Sequence, residues 1–400
     1  MFKLNSEQLI DVNTNKNIAE KPRLLHVLVG AGRGGVERDA LVLMERLLTV
    51  RHDAFVLGPD GPMTSDWKDS GAVVHIARQT SRWPLQISPC LKKYLERLKA
   101  NQRLPDAAIV WHGMPKLPQI LHLLSAYGIR TAIHGGNPAI GLSRLTDWVY
   151  CMLHRLYPPK GELPNYICCS KHVADSFHRS RYLRRFPTEV VPNGIEWPQA
   201  PADVKSVRTD KPFTIGMTAR LSRIKDHATL LQAFAELRES LAHNGSQKSV
   251  RLELIGDGDQ RGVLVQLCED LNLNDSVRFV GEVDDVYGAM AEWDLFAYAT
   301  TKHEGLGNAV SEAMAFGLPC VLTDVGPIRD FFDLRPDGPS VRLVPPFDST
   351  AMASSLSELI TDQAARFRLA LAGQDLARER FHPDHYSRAY AELLGLPTGA

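Results

Sequence analysis

The segment HEGLGNAVSEAMAFGLP, residues 303–319, carries two carboxylates, Glu304 and Glu312, on either side of a glycine-containing loop. Glycines at 305 and 307 let the backbone come close to a ligand. Asn308 has the residue type of a helix N-cap, and Gly317 followed by Pro319 is a stop signal. A helix starting here aims the free N–H groups of Leu306, Gly307, Asn308 and Ala309 at a cleft, where the helix dipole favours an anion such as phosphate. The glutamates can accept hydrogen bonds from sugar hydroxyls. A general preference of acids for helix N-termini accounts for Glu312 but poorly for Glu304 and the glycines. A capping box would place its acid at position 311, which is a serine.

Four more stretches carry chemistry. In MTARLSRIKDHATLLQAF, Arg220 follows an apolar run and Lys225 precedes a helix capped by Asp226. Two cations at such a mouth suit a diphosphate, the arginine by its fork of donors and the lysine as a point charge. In LIGDGDQR, Gly256 and Gly258 permit a tight turn over a flat ring. In VGAGRGGVE, Gly30, Gly32 and Gly35 satisfy G-x-G-x-x-G, and Asp60 ends the next apolar run where a ribose-binding acid would stand. That combination also fits an NAD(P)-dependent oxidoreductase. Finally, His134 of TAIHGG and His112 of VWHG sit at neighbouring strand ends.

These residues need elements that bring them to one edge. LLHVLVG, AFVLGPD, AVVHIA, AAIVWHG, TAIHGG and YICCS read as strands alternating with helical patterns. Such alternation predicts a parallel sheet with helices on both faces. The stretch VPNGIEWPQAPADVKSVRTDKPF has four prolines and little periodicity, and reads as a linker. The alternation then restarts. The expected organisation is a polar tail at 1–22, a Rossmann-like unit at 23–195, a linker at 196–211, a second such unit at 212–375, and a C-terminal helix at 376–400. Ligands of open parallel sheets lie beyond the carboxyl ends of the strands, so two such sheets face each other across a cleft.

Composition bounds the function. The chain has 400 residues, 44% hydrophobic and 23% charged, with 46 basic and 46 acidic side chains. This balance gives no electrostatic footprint for nucleic acid. No window approaches the ~20 apolar residues of a membrane span, and the polar first residues lack the core of a signal peptide. Six cysteines without metal-type spacing read as free thiols of a reducing compartment, so a cytoplasmic location is expected. No resident cofactor and no metal are expected.

Together, GRGGVE, TAIHGG, VPNGIE, TARLSRIKD, LIGDGDQR and HEGLGNAVSEAMAFGLPCVLTDVG resemble the motifs of retaining glycosyltransferases of family 4, which have the two-Rossmann-domain GT-B architecture. The resemblance runs from about residue 24 and includes the family's E-x7-E pattern with its trailing A-M-A-x-G-x-P. It implies that Gly34 and Gly35 flank the donor diphosphate and that His134 lies near the donor sugar and the reaction centre. It further implies that Arg220 and Lys225 hold the diphosphate together with Leu306, Gly307, Asn308 and Ala309. Glu304 would bind sugar hydroxyls and Glu312 the ribose, with Gly256, Asp257, Gly258 and Val280 near the base. The C-terminal helix would cross back onto the first domain. After TDVG the chain reads Pro327, Ile328, Arg329, Asp330, where the family usually has small residues and a glutamate.

The implied activity is metal-independent transfer, with retention, from a UDP- or GDP-sugar to a glycan or lipid-linked acceptor of surface polysaccharide or lipopolysaccharide. A binding protein that kept the fold without catalysis is the other reading. Residues 151–187 hold seven Lys or Arg against two acids, including HRSRYLRRF. This segment reads either as a solvated surface or as a basic rim for an anionic acceptor or the inner leaflet, at ~1 kcal/mol per cation near the surface.

Overall fold

The computed structural model describes residues 21–77, 89–111, 116–139, 143–199, 211–243, 245, 248–305, 307–332 and 338–398. The candidates His112 and Leu306, most of the expected tail and most of the expected linker lie outside these residues.

The first half runs β1 (Arg23–Leu28), α1 (Gly35–Arg46), β2 (Arg51–Val56), α2 (Met63–Asp69), β3 (Val73–Ile76), α3 (Pro89–Ala100) and β4 (Ala107–Trp111). It continues with α4 (Leu117–Ala126), β5 (Arg130–Gly135), α5 (Arg144–Leu156), β6 (Asn165–Cys168), α6 (Lys171–Ser176) and β7 (Thr188–Val190). The seven strands are parallel, in the order β3-β2-β1-β4-β5-β6-β7.

The second half opens with β8 (Phe213–Thr218), α7 (His227–His243), β9 (Val250–Ile255), α8 (Arg261–Asp270), β10 (Val277–Gly281), α9 (Val286–Met290) and β11 (Leu295–Tyr298). Then follow α10 (Asn308–Phe316), β12 (Cys320–Thr323), α11 (Gly326–Phe332), β13 (Arg342–Val344), α12 (Ser349–Thr361), α13 (Gln363–Arg380) and α14 (Pro383–Leu394). Its six strands are also parallel, in the order β10-β9-β8-β11-β12-β13.

Both sheets reverse winding direction once, between β1 and β4 and between β8 and β11. Strands buried on both faces explain the near-continuous apolar runs RLLHVL and AAIVW. A reversal leaves a crevice at the carboxyl ends of its two central strands. The glycine loop follows β1 and Arg220 follows β8, so both candidate groups stand at these crevices.

The expected boundary at 376 falls inside α13, which runs on to Arg380. The break comes at Phe381 and His382, where Pro383 opens α14 and His382 caps it. Proline fits this first position because its missing N–H has no intrahelical partner to lose. Helix α14 does not pack on the second sheet. Tyr386, Tyr390 and Leu394 join Leu24, Leu43, Ile109 and Trp111 in one apolar cluster, so the last described helix completes the core of the first sheet.

Candidate functional site

The loop after β11 shows why a glycine precedes α10. Gly307 is the cap residue, at φ 79° and ψ 75°. A non-glycine residue is strained in that conformation, and a Cβ there would lie 3.3 Å from the Tyr298 hydroxyl. Asn308 is therefore not the N-cap the sequence led us to expect, but the first helical residue. Its side chain is committed elsewhere: Nδ2 donates to Asp39 Oδ1 at 2.7 Å, and Oδ1 accepts from Asn193 Nδ2 at 3.0 Å. Ala309 follows in the first turn, whose amides have no intrahelical partners. Gly317 ends the helix in the left-handed region, as its type predicts.

Glu304 is buried and its carboxylate is crowded with donors. Lys225 Nζ donates to Oε2, as do Tyr298 Oη at 2.9 Å and Thr300 Oγ1 at 3.3 Å, while the Gly305 N–H donates to Oε1 at 3.0 Å. Burial raises the Glu304 carboxyl, but the Lys225 charge and these hydrogen bonds outweigh it and hold the group below its ordinary range. Lys225 also donates to Tyr298 Oη. An ammonium has three donors, and two of those of Lys225 are committed to Glu304 and Tyr298.

The two sheets meet at this loop. A Cβ on Gly305 would sit 1.9 Å from the Gly136 carbonyl oxygen, so only glycine allows the loops after β11 and β5 to touch. Ser170 Oγ donates to the Gly305 carbonyl at 3.2 Å, and the His172 N–H donates to Asp330 Oδ2 at 2.8 Å. Gly35 opens α1 facing Asn308: a Cβ on it would be 3.8 Å from Asn308 Nδ2. The starts of α1 and α10 thus lie side by side. Gly34 is the extended cap of α1, and the room beside it is taken by the Glu37 side chain.

Arg220 is exposed at the end of β8, and its charge reaches Glu37 across the crevice. Burial lifts the Glu37 carboxyl, with its own backbone N–H and Arg220 pulling the other way. Glu312 lies 3.8 Å from Arg38. Burial raises it, Arg38 opposes the rise, and nearby Glu196 adds to it. Arg33 pairs with Asp284 further along the same seam.

His134, at the end of β5, is fully buried. Its Nδ1 lies 2.7 Å from the Tyr390 hydroxyl of α14, and its Nε2 lies 3.5 Å from Asp39 Oδ2. The ring packs against Trp111 and Tyr390. Asp39, Asn193, Tyr298 and Tyr390 received no role from sequence reasoning. Of these, Asn193 stands in VPNGIE and was within reach. Asp39 gave no signal, because an acid in GVERDALVLMER reads as a solvent-facing residue of an amphipathic helix.

Two glycines also meet a packing constraint. Gly256, at φ 122°, and Gly258 would each drive a Cβ into backbone, 2.2 Å from the Ala219 carbonyl oxygen and 2.3 Å from that of Leu221. Their first task is close packing of this turn against the Arg220 loop. Asp257 sits between them, its carbonyl accepting from the Leu221 N–H at 3.0 Å. Val280 is half-buried on β10, beside the Gly256–Gly281 bridge. In the first half, Cβ atoms on Gly30 and Gly32 would meet nothing within 4 Å, so the fingerprint there is not enforced by close approach. Asp60 accepts from its own Gly61 N–H at 2.8 Å and from Thr64 Oγ1 at 2.5 Å. It holds a turn.

Exposed arginines stand on α5 and on the segment packed against its inner side. Asp147 on its inner side accepts from Ser180 Oγ, the Arg181 N–H and the Tyr182 N–H, which seats the segment bearing Arg181, Arg184 and Arg185. The outer side is apolar: Leu145, Trp148 and Leu156 are 71%, 60% and 61% exposed. With Met152 they fall within about 80° of arc at 3.6 residues per turn, flanked by exposed Arg144 and Arg155. Among the described residues, no helix is long and apolar enough to cross a membrane, and no cluster of three or more His, Cys, Asp or Glu could hold a metal ion.

This architecture is that of GT-B glycosyltransferases. A solved structure, Anabaena Alr3699/HepE in complex with UDP and glucose, superposes with a TM-score of 0.75 at 21% identity, covering 94% of this chain and 99% of that one. Residues 212–362 match the family model Glycosyl transferases group 1. The lipopolysaccharide core biosynthesis glycosyltransferase LpsE of Rhizobium meliloti (strain 1021) is 33% identical over 186 residues, 46% of this chain and 50% of the relative. LpsD of the same organism is 30% identical over 205 residues, 49% of this chain and 53% of the relative. The chain thus spans about half the length of these curated relatives.

Proposed function

We propose that this chain is a retaining, metal-independent glycosyltransferase. It moves a sugar from a UDP- or GDP-sugar to a glycan or lipid-linked acceptor in the synthesis of surface polysaccharide or lipopolysaccharide. The observation that carries the reading is that the starts of α1 and α10 lie side by side, with Lys225 and Arg220 in the loop after β8 at the second sheet's crevice. Oriented amides and fixed cations at one place are what a departing diphosphate needs. The similarity of residues 212–362 to group 1 glycosyl transferases supports the same class.

In this reading the sugar–phosphate bond breaks as negative charge builds on the leaving oxygen. Lys225, Arg220 and the amides of Gly35, Asn308 and Ala309 stabilise that charge. The acceptor hydroxyl attacks from the face the diphosphate leaves, and its proton passes to the leaving phosphate, so no enzyme nucleophile is required. Glu304, held ionised by Lys225, accepts from sugar hydroxyls. Glu312 faces the ribose, and the 256–258 turn with Val280 borders the base. His134 lines the sugar end. Closing Gly305 onto Gly136 excludes the water that would hydrolyse the donor.

The same reading makes the protein a peripheral visitor to an anionic bilayer. The α5 ridge of Leu145, Trp148 and Leu156 inserts while Arg144, Arg155, Arg181, Arg184 and Arg185 meet headgroups. Sedimentation with phosphatidylglycerol vesicles, lost on Trp148→Glu, tests this surface.

The test of the activity is a panel of sugar nucleotides with mass spectrometry of bound nucleotide and of transferred or hydrolysed sugar. The expected result is one preferred diphosphate donor, with turnover lost in Lys225→Ala and Glu304→Ala. Binding of NAD(P) but of no UDP-, GDP- or ADP-sugar would reverse the reading. Donor binding without transfer or hydrolysis would leave a binding protein.

A further inference from the structure

Asp39 lies in the interior of α1 and is 2% exposed. A carboxyl there is costly unless donors surround it, and an apolar residue would fill the position more cheaply. Its partners come from three separate parts of the chain. Asn308 Nδ2, at the mouth of α10, donates to Oδ1 at 2.7 Å. Asn193 Nδ2, between the two sheets' strands, donates to Oδ2 at 3.0 Å. His134 Nε2, at the end of β5, lies 3.5 Å from the same Oδ2. Asn193 closes the triangle by donating also to Asn308 Oδ1 at 3.0 Å. Helix α14 roofs the group, with Tyr386 Oη 3.5 Å from the Asp39 carbonyl and Tyr390 Oη on the far nitrogen of His134.

We infer that Asp39 is a positioning residue: a single carboxyl group that fixes the His134 imidazole and, through Asn308, the start of α10, setting both sides of the transfer site from one point. This rests on the transferase reading given above for its kinetic consequence, but not for its geometric one. The chemistry is specific to a group with two acceptor oxygens. An asparagine at 39 has the same shape but only one acceptor. Whichever way its amide turns, Asn308 Nδ2 or Asn193 Nδ2 faces another donor. Asn308 cannot turn over to relieve this without abandoning Asn193.

The experiment compares the full-length wild type with Asp39→Asn and Asn308→Ala. It measures the ring 15N spectrum of His134, identified by its loss in His134→Gln, together with kcat and the donor KM. In Asp39→Asn, the His134 protonation pattern changes and kcat falls by about 10- to 100-fold, the scale of misplaced catalytic groups. In Asn308→Ala, donor KM rises while the His134 spectrum stays near wild type, because Asp39 still faces the ring. A merely structural Asp39 would lower the melting temperature and leave both the spectrum and the KM-against-kcat split unmoved. That result, or an unchanged His134 spectrum in Asp39→Asn with kcat within about twofold of wild type, overturns the inference. If Asp39→Asn does not fold, Asp39→Glu, which keeps both acceptors, replaces it and must keep a wild-type-like His134 pattern; a changed pattern there counts against the inference. If the wild type transfers no sugar from any donor, the transferase reading fails, and the His134 spectra alone decide the role of Asp39.

Discussion

Replacing Lys225 by methionine isolates the electrostatic centre of the second sheet's crevice. Methionine keeps the stem and removes the ammonium. Glu304 then stays buried with three neutral donors, Tyr298, Thr300 and the Gly305 N–H. Breaking one side of a buried ion pair costs about 3–5 kcal/mol. The Lys225 side chain is 19% exposed and Glu304 8%, so some solvent screening places the expected loss near the lower bound, about 3 kcal/mol. For a unit of this size that is ~6–12 °C in melting temperature.

The pH dependence follows from the Glu304 carboxyl. In the wild type it is held below its ordinary range, so it contributes stability above that range and loses it as pH falls through the folded value. Without Lys225, burial is less opposed and the carboxyl titrates higher. The gap between wild type and variant is therefore widest at neutral pH and narrows with acidification. Lys225→Met/Glu304→Gln removes the stranded charge while its amide oxygen still accepts from Tyr298, so most of the stability returns but turnover does not. Thermal unfolding between pH 4 and 8 measures all three proteins. A single variant within about 1 kcal/mol of wild type at pH 7, the value of an exposed pair, or a double variant in which the penalties add, would refute the buried-pair argument.

Three further outcomes are expected. His26 and His52 form a buried neutral relay, in which Trp111 Nε1 donates to His26 Nδ1, His26 Nε2 meets His52 Nδ1 at 2.9 Å, and His52 Nε2 meets the Leu47 carbonyl at 3.0 Å. Burial lowers His26 well below its ordinary value and His52 to about 4. Stability is thus full above pH ~6.5 and falls by roughly 3 kcal/mol through His52 alone on approaching pH 4; acid titration of a His26→Gln/His52→Gln variant should show a shallower limb. Gly305→Ala puts a Cβ 1.9 Å from the Gly136 oxygen; the clash is relieved by opening, so small-angle scattering should show a wider molecule and transfer should drop while the melting temperature holds. Arg220→Ala should raise the donor KM by ~10-fold or more, the worth of a charge-assisted hydrogen bond, with little change in unfolding, since this side chain is exposed.

The sequence exposed groups whose meaning is local. The β–α alternation, the Gly307–Asn308 helix start, the Gly317 stop and the cations beyond β8 each depend on a few neighbouring residues. It did not expose pairings, because these depend on chain returns that periodicity does not encode. Lys225 and Glu304 were both singled out as ligand groups, yet they hold each other across 79 residues. Asn308 was assigned to its own helix, whereas it reaches Asp39 across 269. Strands β7 and β13, with three residues each, are too short to carry a period of two. Gly256 and Gly258 were legible as a turn, but their function against Ala219 and Leu221 needed the neighbouring loop.

The dependence of the first sheet on α14 has a consequence for biogenesis. Tyr390 reaches His134 across 256 residues, and the pocket holding Trp111, His134 and Asp39 has no lid until that helix arrives. Domains usually mature as they leave the ribosome, N-terminal first. Here the leading half must wait, nearly assembled but with an aromatic floor bare to water, until the trailing half has been synthesised and has folded. A nascent chain stalled anywhere in between would present that bare aromatic floor, the kind of transiently exposed apolar surface that makes chaperones necessary.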